Sequence, residues 1–250
     1  MTALSTVAVV TGASRGLGLA LAGRLLARGA TVITLARNSS PRLAAIAQQH
    51  GARLQQLRAD LSLTASIESA AGLMSAALPG DATQYLLVNN AGTVDPVALS
   101  ENLFDATSIQ QAFNLNVNAA MVLAAAFLRS APGQADRRIL NISSGAGRKP
   151  TAGWPVYCAT KAALDHYTRV LALENPGVRV AALAPGVIDT AMQEHIRGSD
   201  RRHFPDLDRF LQLHAHGQLA DADAVAGKIL QLVTGDAFGR ELIDDIRNHD

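Results

Sequence analysis

Residues 6–18 read Thr-Val-Ala-Val-Val-Thr-Gly-Ala-Ser-Arg-Gly-Leu-Gly and combine three structural signals. Val7 to Val10 is a short apolar run rich in β-branched residues, which is typical of a buried strand. Three glycines then end the run: Gly12, Gly16 and Gly18. From residue 17 to residue 30 leucines recur at steps of three and four, which indicates a helix. The stretch therefore predicts a strand, a glycine turn and the N-terminus of a helix.

This arrangement is suited to binding a pyrophosphate. The first turn of a helix has free backbone N–H groups, and the helix dipole adds positive charge there. Glycines are needed because a Cβ would block the approach of a phosphate or of the helix to the strand. The spacing Gly-x-x-x-Gly-x-Gly differs from the general dinucleotide fingerprint, and glycine turns also occur without ligands. The position between a strand and a helix favours a dinucleotide site.

Apolar strand-like runs and helical segments alternate along the rest of the chain. The predicted strands are 31–36, 54–57, 85–88, 138–142 and 178–183, with a seventh near 241–245. Such alternation predicts one α/β domain over residues 1–250, a Rossmann-type doubly wound parallel sheet of about seven strands with helices on both faces. The carboxyl ends of its strands are expected to open onto one crevice.

Composition excludes several classes of protein. The formal net charge is +1, so charge suggests neither a nucleic-acid partner nor an anionic membrane. Cys158 is the single cysteine, which excludes an intrachain disulfide and a cysteine metal cluster. The N-terminus does not resemble a signal peptide, and the apolar run 119–128 is about half a membrane span. We expect a cytoplasmic protein without a membrane partner.

Two arginines indicate which dinucleotide is used. Arg37 follows the second strand, at the place where dinucleotide folds bind the adenosine ribose, and Arg15 lies in the glycine turn. Two guanidinium groups and no carboxylate favour NADPH over NADH, because a carboxylate would repel the 2′-phosphate. An arginine that is simply solvated is the alternative.

Two further features leave alternatives open. Asp60 follows the third strand and either caps a helix beginning near residue 65 or contacts the adenine. Asn114, Asn116 and Asn118 lie within a long helical stretch, although asparagine is a poor helix former. Either these side chains are exposed, or the helix is interrupted and one of them holds a water molecule in the site. The following segment 119–128 is expected to be buried on most sides, with a second subunit as one possible cover.

Tyr157 and Lys161 are spaced to share one face of a helix, and Ser144 precedes Tyr157 by thirteen residues. A tyrosine phenol with an ordinary pKa of ~10 needs a neighbouring cation to exchange a proton near neutral pH. In this interpretation Lys161 supplies that charge and binds the nicotinamide ribose, and Ser144 polarises a substrate carbonyl. Asn116 is expected to hold a water molecule that links Lys161 to solvent. The alternative is a packed tyrosine beside a surface lysine.

Together these motifs resemble the short-chain dehydrogenase/reductase family over nearly the whole chain. They are Thr11-Gly12-x-x-x-Gly16-x-Gly18, Asn89-Asn90-Ala91-Gly92, Asn116, Ser144, Tyr157-x-x-x-Lys161 and Pro185-Gly186. The resemblance implies catalytic roles for Asn116, Ser144, Tyr157 and Lys161, with Ser144 rather than Ser143 selected by its spacing. It also implies contacts to NADP from a larger set: Gly12, Ser14, Arg15, Gly16, Leu17, Gly18, Arg37, Asp60, Leu61, Asn90, Ala91, Gly92, Tyr157, Lys161, Pro185, Gly186, Ile188 and Thr190.

A finer similarity points to the sepiapterin reductase and benzil reductase branch. It rests on Asn-Ile-Ser-Ser-Gly-Ala-Gly at 141–147, Tyr157-Cys158, the segment 185–193 and Gly-Gln-Leu-Ala-Asp at 217–221. The branch implies NADPH-dependent reduction of a small dicarbonyl or ketone. Its pterin-anchoring aspartate would correspond to Asp244 or Asp245. The alternatives are another alcohol/ketone pair, such as a β-ketoacyl thioester, and a non-catalytic NADP-binding regulator.

Residues 191–217 are expected to form a solvated substrate lid. Their four histidines match no metal-ligand spacing, so no metal is expected. The partners expected are a small-molecule carbonyl substrate and further copies of this chain, in a homodimer or homotetramer.

Overall fold

A single parallel sheet organises the molecule. The computed structural model describes residues 5–249, and within that range seven strands pair in the order β3-β2-β1-β4-β5-β6-β7. The strands are β1 (Thr6–Thr11), β2 (Thr31–Ala36), β3 (Leu54–Arg58), β4 (Gln84–Asn89), β5 (Asp136–Ile142), β6 (Val178–Ala184) and β7 (Ile243–Asp245). Every neighbouring pair is parallel. The predicted Rossmann-type doubly wound fold is confirmed.

Helices cover both faces of this sheet. The α-helices in the described range are α1 (Gly16–Ala27), α2 (Pro41–His50), α3 (Thr64–Ala77), α4 (Ala106–Phe113), α5 (Ala119–Ser130), α6 (Pro155–Glu174), α7 (Ala191–Arg197), α8 (Leu207–Ala215) and α9 (Ala222–Thr234). One apolar cluster packs α1 and α9 on the sheet, with Leu21 and Ile229 at its centre. A second packs α3 and α5 on the opposite face, around Ile67 and Leu123. Burial of these two faces is the main driving force for the fold.

The helix between β4 and β5 is interrupted, as one of the two alternatives predicted. Residues Asn114–Asn118 form a π-helical segment between α4 and α5. The side chains of Asn114 and Asn116 are buried, with exposures of 5% and 2%, so the exposed alternative applies only to Asn118. Such π-helical bulges often occur at functional sites.

The expectation that segment 119–128 is buried on most sides is wrong for the single chain. One face of α5, including Leu123 and Phe127, packs into the core. Met121 and Val122 on the other side are 41% and 37% exposed. The apolar composition reflects two different faces, one against the sheet and one open.

Residues 106–130 form one helical stretch that is long and apolar enough, by length and composition alone, to cross a membrane. Half of its most apolar window, 50%, is buried inside the molecule. A core helix passes the same test, so the stretch is weak evidence for a membrane span. The expected cytoplasmic location stays a prediction.

The predicted lid segment, 191–217, is mostly helical and forms α7 and α8. Its apolar side chains join a third cluster, in which Ile196 and Phe210 pack with Trp154 and Tyr157. The four histidines have different surroundings: His195 pairs with Asp95, His203 is half-buried, and His214 and His216 are exposed. The lid therefore has an apolar inner side and a polar outer side.

Candidate active site

A crevice of about 920 Å³ runs along the carboxyl ends of the strands. The structure brings nearly all the predicted site residues to its walls. These are Gly12, Ser14, Arg15, Gly16, Leu17, Arg37, Asp60, Leu61, Asn90, Ala91, Gly92, Ser144, Tyr157, Lys161, Pro185, Gly186, Ile188 and Thr190. Gly18 and Asn116 were also predicted, but they are not among the residues that line the crevice. Their roles in binding and catalysis stay predictions.

Glycines shape the loop between β1 and α1 for close approach. Gly12 has φ +68° and Gly16 has φ +56°, conformations that other residues rarely adopt. A Cβ on Gly18 would overlap the carbonyl oxygen of Gly12 and lie 2.5 Å from Nδ2 of Asn90. Gly18 thus allows the helix to pack closely on the loop, which is one of the two reasons predicted for a glycine here. Its contact with the cofactor stays a prediction.

The N-terminus of α1 is open toward the crevice. Among the described residues, the side chain of the N-cap residue Arg15 forms no hydrogen bond with the first turn of α1, and that turn contains no acidic residue. The first backbone N–H groups of the helix are thus available to an anion. Arg15 and Arg37 are both exposed on the crevice wall, as a 2′-phosphate site requires.

Asp60 does not cap α3, contrary to one of the two alternatives. The N-cap position is Leu63, and the Asp60 carboxylate accepts hydrogen bonds from the backbone and hydroxyl of Ser62, at 3.0 and 2.7 Å. Burial alone would raise the pKa of Asp60, but these bonds and the charge of Arg37 hold that pKa below its ordinary value. Asp60 remains on the crevice wall, where the adenine contact stays a prediction.

Asn116 ties two elements of the site together through its side chain. Its Oδ1 accepts from the backbone N–H of Thr93 at 2.8 Å, and its Nδ2 donates to the Thr93 carbonyl at 2.9 Å and to Thr160 Oγ1 at 3.0 Å. The amide is therefore committed to the loop after β4 and to α6. These contacts give Asn116 a positioning role, since they hold the loop at Thr93 against α6. Binding of a water molecule by Asn116 stays a prediction.

Tyr157 and Lys161 lie one turn apart near the start of α6, which begins at Pro155, a favoured residue in a first helical turn. Both side chains are buried, with exposures of 8% and 4%. Lys161 Nζ donates to the carbonyl oxygen of Ile142 at 2.8 Å and lies 5.7 Å from the centroid of the Tyr157 ring. The lysine is thus anchored to the end of β5, beside the phenol.

The protonation of the pair differs from the sequence expectation. Burial raises the pKa of Tyr157, and a hydrogen bond with Ser144 only partly opposes the rise. This direction is opposite to that of the expected acidic phenol, because burial disfavours the phenolate and Lys161 Nζ donates to Ile142. The acidifying effect of Lys161 on the phenol stays a prediction. Burial also lowers the pKa of Lys161 to about 8, against the charge of Asp165.

Neighbouring serines at the end of β5 have different partners. Ser144 Oγ accepts a hydrogen bond from the backbone N–H of Ala146 at 3.2 Å. The Ser144 side chain also forms a hydrogen bond with the Tyr157 hydroxyl. The Ser143 hydroxyl instead donates to Asp165 of α6. The choice of Ser144 as the residue that faces the phenol agrees with this geometry, while its catalytic role stays a prediction.

An aromatic wall at the far end of the crevice was not predicted. Trp154 stacks on Phe204 at 4.8 Å, lies 5.3 Å from Phe210, and meets Tyr157 edge to face at 5.3 Å. Trp154, Tyr157 and Phe210 line the crevice. No local pattern marks these rings, because Trp154 and Phe210 come from segments more than fifty residues apart.

The two candidate aspartates near the C-terminus have separate surroundings. Asp245 lines the crevice, and its two carboxylate oxygens accept from Arg247 at 2.7 and 2.6 Å. Asp244 is 7% exposed and accepts from His249 and Asn248. Of these two aspartates, Asp245 lines the crevice and Asp244 does not, and contact of either one with a substrate stays a prediction. No group of metal-ligating side chains occurs among the described residues.

Comparison with known proteins finds relatives in the family that the sequence motifs resemble. Residues 6–201 match the model of the short chain dehydrogenase family. The benzil reductase ((S)-benzoin forming) of Bacillus cereus is 35% identical over 238 residues, covering 92% of this chain and 94% of that enzyme. The sepiapterin reductase of Meriones unguiculatus is 36% identical over 244 residues, covering 93% and 92%. These relatives confirm the resemblance to the sepiapterin reductase and benzil reductase branch.

A solved structure agrees with the sequence relatives. The short chain dehydrogenase from Burkholderia cenocepacia J2315 in complex with NADP superimposes with a TM-score of 0.76 at 30% identity, covering 95% of this chain and 94% of that one. The family model spans most of the sheet, and the relatives cover nearly the full length. This chain therefore belongs to the short-chain dehydrogenase family.

Proposed function

We propose that this enzyme reduces the carbonyl group of a small dicarbonyl or ketone with NADPH. The observation that carries the proposal is that one crevice joins the glycine loop and its two arginines to Ser144, Tyr157 and Lys161. A dinucleotide spanning the crevice would reach from one group to the other. The benzil and sepiapterin reductase relatives support reduction of a carbonyl.

The chain has suitable groups for each part of NADPH. The open first turn of α1 and the glycine loop suit the pyrophosphate, and Arg15 with Arg37 suits the 2′-phosphate. Lys161 suits the nicotinamide ribose. The NADP named with the Burkholderia cenocepacia structure supports the same cofactor for this chain.

NADPH, when bound, supplies the hydride to the carbonyl carbon. Tyr157 donates its proton to the carbonyl oxygen as negative charge develops there, and Ser144 hydrogen-bonds the same oxygen. Burial raises the pKa of Tyr157, so the phenol holds its proton near neutral pH but is a weaker acid than a free tyrosine. The ammonium of Lys161 favours the phenolate left after the transfer. Asn116 holds the loop at Thr93 against α6.

The aromatic wall supports an apolar group next to the reacting carbonyl. Trp154 and Phe210 face the crevice beside Tyr157, and ring pairs at about 5 Å are favourable for aromatic ligands as well as for each other. Closure of the lid over this end would exclude water from the reaction. A vicinal dicarbonyl with an aromatic substituent is therefore the favoured substrate class.

The direct test follows the absorbance of NADPH with benzil, phenylpropanedione and sepiapterin. We expect consumption of NADPH with at least one aromatic dicarbonyl. A non-catalytic NADP-binding regulator is the alternative from another class, and binding of NADPH with no carbonyl reduced would favour it. A buried tyrosine and lysine and a half-buried serine that face one cleft argue for catalysis, because binding alone does not require them.

Arg37→Asp is expected to reverse the cofactor preference. The new carboxylate repels the 2′-phosphate and can accept hydrogen bonds from the ribose hydroxyls of NADH. Loss of a charge-assisted bond should raise the KM for NADPH by at least about tenfold. Arg28→Asp is the control, since Arg28 is exposed at the far end of α1. An unchanged ratio of kcat/KM for the two cofactors would refute the role given to Arg37.

A homo-oligomer, either dimer or tetramer, is also proposed. Helices α5 and α6 share one face of the sheet through Leu123 and Leu171, yet expose Val122 at 37% and Leu173 at 82%. Val122→Glu should reduce the molar mass measured by light scattering after size exclusion. Leu73→Glu, on the exposed side of α3, should leave that mass unchanged. A monomeric wild-type chain would contradict the proposal.

A further inference from the structure

Asp165 is a buried carboxylate that the proposed mechanism does not use. It lies one turn after Lys161 on α6 and is 3% exposed. Its Oδ1 accepts a hydrogen bond from Ser143, whereas Oδ2 is buried without a hydrogen-bond partner in the described part of the chain. An incompletely bonded buried carboxylate is costly, so its presence needs a physical explanation.

Three cations act on the charge of Asp165: Arg148, Arg169 and Lys161. Arg148 Nε lies 3.9 Å from Oδ2, and Arg148 itself is one-third exposed, which weakens that pair. Lys161 lies one turn before Asp165 on α6 and is more deeply buried than Arg148. Burial raises the pKa of Asp165, against the hydrogen bond from Ser143 and the charges of Arg148, Arg169 and Lys161.

The surroundings of Lys161 are otherwise neutral. On α6 its neighbours are the Tyr157 ring and, one turn on, Asp165. At the end of β5 its Nζ donates to the Ile142 carbonyl, and in the loop after β4 it lies beside Gly92. The Asn116 amide, from the π-helical segment, also lies beside Gly92. Among the described residues, Asp165 is the one anion that acts on its charge.

We propose that Asp165 is a positioning residue of the active site, whose buried carboxylate is the counter-charge of Lys161 and, through Ser143, holds the strand end that carries Ser144. The two roles can be separated. The charge acts on Lys161 through space, while the hydrogen bond to Ser143 fixes the end of β5 against α6. The inference rests on the proposed function, in which a charged Lys161 assists Tyr157.

A measurement without turnover tests the counter-charge directly. The sequence contains three lysines, Lys149, Lys161 and Lys228. Protein labelled with 13C at lysine Cε therefore gives a simple NMR titration, in which Lys161→Met identifies the signal of Lys161. In the wild-type chain that signal should titrate near the pKa of about 8.

Asp165→Asn should lower the titration midpoint of Lys161 by roughly one pH unit, because an opposite charge nearby is lost. Ser143→Ala is the matched control: it removes the hydrogen bond but keeps the carboxylate, so the midpoint should not fall. Asp165→Leu repeats the test if the amide variant is unstable, since an apolar side chain is tolerated where a charge was buried. An unchanged midpoint in both Asp165 variants would overturn the proposal.

Turnover gives an independent readout. The fall of kcat at alkaline pH should begin at lower pH in Asp165→Asn, and a merely structural role would lower kcat equally at all pH values. If the wild-type enzyme reduces no carbonyl, the proposed function fails while the NMR result still stands. If turnover is normal but neither variant changes the Lys161 titration, the inference about Asp165 alone fails.

Discussion

Tyr157→Phe should lower kcat for carbonyl reduction by at least about a hundredfold, the usual contribution of a positioned general acid. The substitution removes only the hydroxyl that donates the proton and keeps the ring that packs on Trp154 at 5.3 Å. The hydroxyl has Ser144 as its partner, so the free energy of unfolding should change by about 1 kcal/mol or less. Fluorescence titration should give a nearly unchanged Kd for NADPH.

Cys158→Ser is the matched control for this substitution, because it alters the neighbouring, partly buried side chain on the same helix. It should leave kcat within a few-fold of the wild-type value. A Tyr157→Phe enzyme with a nearly normal rate would refute the assignment of the proton donor. Loss of NADPH binding in that variant would show that the phenol is needed for the cofactor instead.

Gly18→Ala should abolish tight binding of NADPH. The added Cβ would overlap the carbonyl oxygen of Gly12, which is backbone, and would lie 2.5 Å from Asn90 Nδ2. The start of α1 must then move away from the glycine loop, which displaces the first-turn N–H groups from the pyrophosphate. Overpacking of this kind costs about 1–3 kcal/mol of stability, and we expect the Kd for NADPH to rise by about a hundredfold or more.

The control for that substitution is Gly72→Ala in the middle of α3. No described atom lies within 4 Å of the Cβ that this change would add. Alanine is favoured over glycine in a helix by about 1 kcal/mol, so the Tm should rise while NADPH binding stays unchanged. Equal Kd values for Gly18→Ala and the wild-type chain would contradict the role of close packing at the loop.

Much of the fold could be predicted from local sequence. The strand at 31–36 has the bounds predicted from its composition. The helix Pro41–His50 that follows is delimited by local signals, the capping side chain of Ser40 and the left-handed Gly51. The crevice residues at strand ends follow from parallel topology, because carboxyl ends of such strands meet at one edge. Local periodicity was sufficient to predict the elements, and parallel topology was sufficient to predict where the crevice residues lie.

Contacts between distant segments could not be predicted in this way. Ser143 resembles its neighbour Ser144, and only the packing of β5 on α6 directs it to Asp165. The depth of burial of Tyr157, which raises its pKa, depends on the lid and on Trp154. These features depend on tertiary contacts, which local sequence patterns do not predict.

Transfer of a labelled hydride tests the central claim most directly. The enzyme is given NADPH that carries deuterium at the transferring position of the nicotinamide, together with benzil, and the product is examined by mass spectrometry and NMR. The account predicts one alcohol formed for each NADPH consumed, with deuterium on the new carbinol carbon and a proton from water on its oxygen. Oxidation of NADPH with no deuterium on that carbon, or binding of NADPH without any reduced carbonyl, would contradict it.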